Sequence, residues 1–204
     1  MKKLFLIMAL TLGLTTTMQA QITAPAETVS EGKLDAKYLA PIPQDEKGMV
    51  YLERTVTLPE GTNTEETFAK LGEWLDRCMK DERIHMAQKM DPDQPNSYLT
   101  TVNQEMVFSK SLLALDKAEC CYLLHASVSG NVITLKMSHI SYRYNGDNEK
   151  RKMLRRHAED YIADKVALNK HRDKIYRSYR KFRVKTIDLI DEYVASLKMA
   201  FWIK

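Results

Sequence analysis

ECCYLLHASVSGNVITLKMSHISYRY, residues 119–144, is the stretch on which the fold turns. Cys120, Tyr122, Leu124, Ala126 and Val128 recur at every second position, the period of a strand with one buried face. Gly130-Asn131 suits a two-residue hairpin loop with glycine first. That loop pairs residues whose numbers sum to 261. Val128 then faces Ile133, Ala126 faces Leu135 and Leu124 faces Met137. The apolar faces of both strands coincide, so the turn and the burial pattern specify one register. A slip by one residue would expose all of these side chains.

The same period continues upstream. Tyr98, Val102, Met106 and Phe108 share a face of a strand over 98–108, after an Asp-Pro-Asp-Gln-Pro-Asn loop at 91–96. Residues 48–58 alternate too: Val50, Leu52, Val56 and Leu58 on one face, with Arg54 as the exception, and Tyr51, Glu53, Thr55 and Thr57 on the other. Between these strands Pro59-Glu60-Gly61 makes a turn. Phe68, Leu71, Trp74, Leu75 and Cys78 then predict a helix over about 65–80, with Thr64 opening it as a capping residue. Downstream the period changes. Met153, Leu154, His157, Tyr161, Ile162 and Val166 suggest a helix. A longer one follows Asn169, carrying Tyr176, Tyr179, Phe182, Ile187, Ile190, Tyr193, Val194 and Leu197. Strand, helix, several hairpin-linked strands and then helices make an α+β layer design, a mostly antiparallel sheet with helices on one face.

Composition bounds the rest. Of 204 residues, 44% are apolar and 28% charged, which excludes both a polytopic membrane protein and a wholly disordered chain. Three cysteines, Cys78, Cys120 and Cys121, are too few for a disulfide scaffold and contain no C-x-x-C pair. Met1-Lys2-Lys3, the apolar run Leu4–Leu14 and the small polar stretch ending at Ala20 have the order of a secretory signal, residues 1–20. The run is shorter than the ~20 residues a membrane span needs, so no transmembrane span is expected once the signal is removed. Export would place the chain in the periplasm, the cell envelope or the medium. Residues 21–47, with Pro25, Gly32, Pro41 and Pro43, read as an extended arm, and 48–204 as one domain.

Several segments are recognisable in their order: Tyr38-Leu39-Ala40-Pro41-Ile42-Pro43, Gly48-Met49-Val50-Tyr51, Leu58-Pro59-Glu60-Gly61, the Trp74 helix, Ile140-Ser141-Tyr142-Arg143-Tyr144, Ala167-Leu168-Asn169-Lys170, and Lys181-Phe182-Arg183-Val184-Lys185-Thr186-Ile187-Asp188. With these the chain, over roughly 33–200, resembles the domain of unknown function 4468 family of exported bacterial proteins, described as having a TATA-binding-protein-like (TBP-like) fold. The resemblance implies β-α-β(4)-α, an antiparallel sheet backed by helices. Four strands are clear in the sequence, and the fifth that the resemblance implies is sought near Ser111–Leu115. It supplies no catalytic residue.

The sheet's solvent face would carry Tyr51, Glu53, Thr55, Thr101, Asn103, Glu105, His125, Ser127, Thr134 and Lys136. DNA binding by a sheet needs cations for phosphates and apolar wedges for the minor groove. Two acids, one lysine and no phenylalanine do not supply them, so nucleic acid is not expected as a partner. The five histidines, His85, His125, His139, His157 and His171, lack metal-ligand spacing, and no metal or other cofactor is expected. His171-Arg172-Asp173 has neither the glycine-rich loop nor the D-F-G of a kinase. No serine sits in a G-x-S-x-G elbow. Cys78 and Cys120 both fall on core faces, where a disulfide between helix and sheet and two small buried hydrophobes are the alternatives.

Charge is segregated. Residues 150–185 hold fourteen Lys and Arg against Glu159, Asp160, Asp164 and Asp173, a net of +10, within a chain of net +4; the remainder therefore carries −6. Lys170, Lys174, Arg177, Lys181 and Lys185 form one stripe at helical spacing, facing either solvent or an anionic surface. The expectation is an uncharacterised, non-catalytic binding module of the bacterial envelope, its partner an unknown protein or envelope component. The alternatives are electrostatic attachment through the basic C-terminal helix and an unrecognised hydrolase.

Overall fold

A computed structural model describes residues 36–90, 95–110, 115–144 and 155–203. The secretory-signal reading and most of the arm fall outside them, as do the segment between residues 110 and 115 and residues 150–154. The described residues belong to one compact unit, Leu34–Lys204. Its elements are β1 (Leu52–Thr57), α1 (Thr64–Cys78), β2 (Ile84–Met90), β3 (Ser97–Lys110), β4 (Leu115–Ser129), β5 (Val132–Arg143), β6 (Arg155–His157), α2 (Asp164–Ala167) and α3 (Arg177–Ala200). The sheet is antiparallel in the order β1-β5-β4-β3-β2, with β6 added beside the far end of β5.

The β4–β5 hairpin forms in the register its sequence specifies. Val128 faces Ile133, Ala126 faces Leu135 and Leu124 faces Met137, and all six are buried. Gly130 takes φ +56°, the left-handed conformation that a glycine-first turn requires. Asn131 fastens the turn to the end of β1, donating from its side chain to the Leu58 carbonyl and accepting from the Leu58 N–H. Beyond Leu123 the pairing slips by one. His139 and Ile140 together oppose Tyr122, and His139 has φ +52°. This β-bulge explains the adjacent polar pair Ser138-His139. It changes the parity of the strand, so that Ile140 and Tyr142 point inward where odd-numbered residues did before.

α1 and α3 cover the inward face. α1 is capped by Asn63 rather than Thr64: the Asn63 side chain accepts from the Glu66 N–H at 3.1 Å. Leu71, Trp74 and Leu75 are buried beneath it. Gly72 is there because the chain is crowded. A Cβ at this position would lie 2.6 Å from the Tyr98 hydroxyl, whose ring stacks on Phe68 at 4.3 Å. Arg54, the break in the alternation of β1, pairs with Asp191 of α3 at 3.0 Å.

Three segments differ from the sequence reading. β2 is a strand the periodicity did not mark. As an edge strand it buries little, and Met86 stays 56% exposed, so no apolar face is written into it. It is the fifth strand that had been sought near Ser111–Leu115; Leu115 opens β4 instead. The expected helix around 153–166 is, over its described part, β6, a 3-10 turn at Ala158–Asp160 and the short α2. Ala158 and Ile162 have helical spacing because one turn joins them, the Ile162 N–H donating to the Ala158 carbonyl at 2.7 Å. α3 starts at Arg177, later than expected, because Leu168 bridges Ile175 across a tight loop.

The last part of the arm is packed down by a buried cation. Arg183 on α3 is fully buried. Its guanidinium donates to the carbonyls of Tyr38 (2.7 Å), Ala40 (2.7 Å) and Ile162 (2.5 Å) and to Asp164 (2.9 Å). Burial pulls the Arg183 pKa down and Asp164 opposes that shift. Asp164 also accepts from the Ile42 N–H at 3.1 Å, and Glu159 from the Val50 N–H at 2.7 Å. Removing the guanidinium strands three carbonyls and a carboxylate. Arg183→Met should cost about 3–5 kcal/mol, a fall in Tm of about 6–20 °C for a chain of this size. Thermal unfolding followed by circular dichroism measures it; a loss below about 1 kcal/mol would contradict the keystone role.

Candidate functional site

The C-terminal halves of α1 and α3 and the β2–β3 edge of the sheet line a groove of about 570 Å³. α1 brings Trp74, Arg77 and Cys78 to it, β2 brings Ile84, β3 brings Gln104, and α3 brings Leu189, Glu192, Tyr193 and Ser196. A hollow of about 280 Å³ continues along α3, lined by Met106, Phe108 and Lys185 among others. The two share Arg83, Gln104, Leu189 and Glu192. Arg83 forms the strap between them, held by Asp81 at 2.9 Å and reaching Glu192 of α3 at 3.2 Å.

The floor is polar but closed upon itself. Tyr122 donates to Gln104 Oε1 at 2.7 Å, and its hydroxyl lies 2.7 Å from that of Tyr193. Trp74 donates from its indole to the Ser196 hydroxyl at 3.1 Å, and the Cys78 thiol lies 3.9 Å from the same oxygen. Burial raises the pKa of Tyr122 and Tyr193, and likewise that of Cys78, above the ordinary values. The Cys78 thiol is thus held in its protonated, weakly nucleophilic form. No histidine lines the groove, so Ser196 has no imidazole base beside it there. The arrangement offers an apolar trough of Trp74, Ile84, Leu189 and Tyr193 with alternating charges along its rim.

Cys78, Cys120 and Cys121 are all free thiols, with Cys120 fully buried. Among the described residues no group of three or more His, Cys, Asp or Glu could hold a metal ion, and no helix is long and apolar enough to cross a membrane. The uncovered face of the sheet is bound into local pairs. Glu119 accepts from Asn103 and Arg143, Glu105 pairs with Lys117, and Lys136 lies over the Tyr51 ring.

The basic stripe does not survive as one helical face. Lys170 and Lys174 lie on the loop before α3, where Asn169 accepts from the Asp173 and Lys174 N–H groups and shapes the turn. Arg177, Lys181 and Lys185 do lie on α3, yet Lys181 is spent inside the structure. Its ammonium pairs with Asp116 at 2.8 Å, bonds the Tyr144 hydroxyl at 2.6 Å and sits over the Tyr144 and Phe108 rings. Burial works against its charge, but Asp116 and Tyr144 outweigh it and raise its pKa. The groove itself was missed by sequence reasoning. Its lining comes from four elements, and β2 carries no periodic signal.

A crystal structure of a DUF4468 family protein from Bacteroides ovatus matches this fold with a TM-score of 0.73 and 25% identity, over 82% of this chain and 94% of that one. The structure of a TBP-like protein from Parabacteroides distasonis matches with a TM-score of 0.62 and 21% identity, over 79% and 97%. No protein-family model matches the sequence, and no curated protein matches it. The α+β fold is TBP-like, and the resemblance to the domain of unknown function 4468 family holds in three dimensions.

The buried tyrosines set a pH dependence. The folded pKa values of Tyr122, Tyr142 and Tyr193 lie above the unfolded value, chiefly through burial. The native state therefore holds protons that the unfolded state releases above about pH 10. Stability contributed by these groups is complete below that pH and is lost as pH rises further. Urea unfolding between pH 8 and pH 11 should show this falling limb. Tyr122→Phe should make it shallower while costing about 1 kcal/mol at pH 8; an unchanged alkaline slope would contradict the assignment.

Proposed function

We propose that this DUF4468-like chain is an exported, non-catalytic binding module of the bacterial envelope, and that the groove between α1, α3 and the β2–β3 edge is where it holds its partner. The observation that carries this is the groove's construction, a 570 Å³ trough whose tyrosine hydroxyls are buried and bonded together and whose half-buried Ser196 hydroxyl and Cys78 thiol lie against each other. Its extension along α3 suits an elongated guest, such as a polypeptide segment with an apolar anchor, better than a compact metabolite. Export rests on the order of basic, apolar and small residues in the first twenty positions.

The reading is tested with a photo-crosslinking amino acid placed at Met199, on the groove rim and 69% exposed, in intact cells. The expected outcome is one adduct of constant mass, suppressed when Ala200→Phe fills the groove and absent when the crosslinker is moved to Thr55 on the uncovered sheet face. Equal adducts from both positions, or an adduct indifferent to Ala200→Phe, would overturn the groove. Saturable turnover of an ester, peptide or glycan by the purified chain would overturn the non-catalytic reading.

A further inference from the structure

A second surface lies apart from the groove, and exposed cations outnumber exposed acids on it. Of the four acids between residues 155 and 185, Glu159 is turned onto the Val50 N–H and Asp164 onto Arg183 and the Ile42 N–H. Asp173, though bonded by the Asn169 side chain, is exposed, as is Asp160. Six cations here, Arg155, Arg156, Lys170, Arg172, Lys174 and Arg177, are all exposed. Arg180 is half-buried, and Lys181 and Arg183 are drawn into the structure.

These cations belong to one corner. Arg156 lies over the Tyr161 ring at 5.8 Å, and Tyr161 meets Tyr179 of α3 edge-on at 5.8 Å. That aromatic seam joins β6 to the first turn of α3. The loop carrying Lys170, Arg172 and Lys174 is fastened to the same turn, since the Tyr176 N–H donates to the Ala167 carbonyl at 2.8 Å and Leu168 bridges Ile175. Arg172 reaches back to Asp164 at 3.6 Å. None of these cations lines either of the two hollows described above. They spread over a loop, a strand and a helix turn, with Tyr176 among them 52% exposed. A broad array of cations around an exposed amphipathic ring is complementary to a planar array of phosphates.

We infer that this corner, comprising the 169–174 loop, β6 and the first turn of α3, docks on the surface of an anionic phospholipid membrane. It is a different face from the groove, and each can fail without the other. The test is cosedimentation of the full chain with vesicles of phosphatidylcholine alone or containing phosphatidylglycerol. The expected result is binding that requires phosphatidylglycerol and is released by added salt. The triple reversal Lys170→Glu, Lys174→Glu, Arg177→Glu should weaken partitioning on the order of 100-fold, with the thermal midpoint kept because all three side chains are exposed. Lys198→Glu, in the last turn of α3 and lining neither hollow, should bind as the unaltered chain does. Any contribution from the apolar N-terminal run is common to all variants and cancels. Binding equal on both vesicle types, binding unmoved by salt, full binding by the triple variant, or capture by soluble polyphosphate without vesicle binding would each overturn the inference.

Discussion

The buried guanidinium of Arg183 is the constraint on which the rest of the structure depends. A charge taken wholly out of water is tolerable only if every one of its donors is met. Here the partners come from three places in the chain: the arm at Tyr38 and Ala40, the turn at Ile162, and Asp164 at the start of α2. α3 cannot settle on the sheet without drawing these segments with it. The arm in turn brings Lys37 and Tyr38 onto Asp188 of α3 and leads through Ile42 and Val50, both buried, into β1. What composition suggests is a loose extended arm therefore becomes, from residue 36 onward, part of the packed unit.

The position of α3 then decides both surfaces. Its middle is fixed by Arg183 and by the aromatic packing of Phe182 against Phe108, Tyr142 and Tyr161. Its C-terminal half meets Trp74 of α1 through Tyr193 but leaves the β2–β3 edge open, which is the groove. Its first turn is left at the periphery beside β6, and there the outward cations collect. One chain of contacts thus separates an apolar trough from a basic corner. In the proposed scheme the trough selects a partner and the corner holds the protein near a surface.

The parts of this structure that were legible in the sequence are those in which a single element carries its own pattern. The β4–β5 hairpin is the clearest case, because Gly130-Asn131 and two alternating apolar faces give the same register independently. α1 and the body of α3 are legible for the same reason, a continuous apolar stripe. Arg54 showed as a break in alternation without showing its cause, which is an aspartate on α3. β2 was invisible because an edge strand with an exposed Met86 needs no apolar face. Tyr161 and Ile162 were read as helix because a 3-10 turn imitates helical spacing over four residues. The basic stripe failed in a more instructive way. Spacing alone cannot distinguish Lys181, which is clamped between Asp116 and three aromatic rings, from Lys174, which faces solvent on a loop. The groove was illegible because its walls are far apart in sequence.

The most direct test of the keystone is native-state hydrogen exchange on the unaltered chain. The amides of Ile42 and Val50 are bonded to the Asp164 and Glu159 carboxylates. If Arg183 joins arm, turn and helix into one cooperative unit, these amides open only when the sheet does. They should then exchange within about tenfold of the Leu135 amide at the centre of β5. Exchange of Ile42 and Val50 more than about 1,000-fold faster than Leu135 would show that the arm frays independently, and would contradict the account.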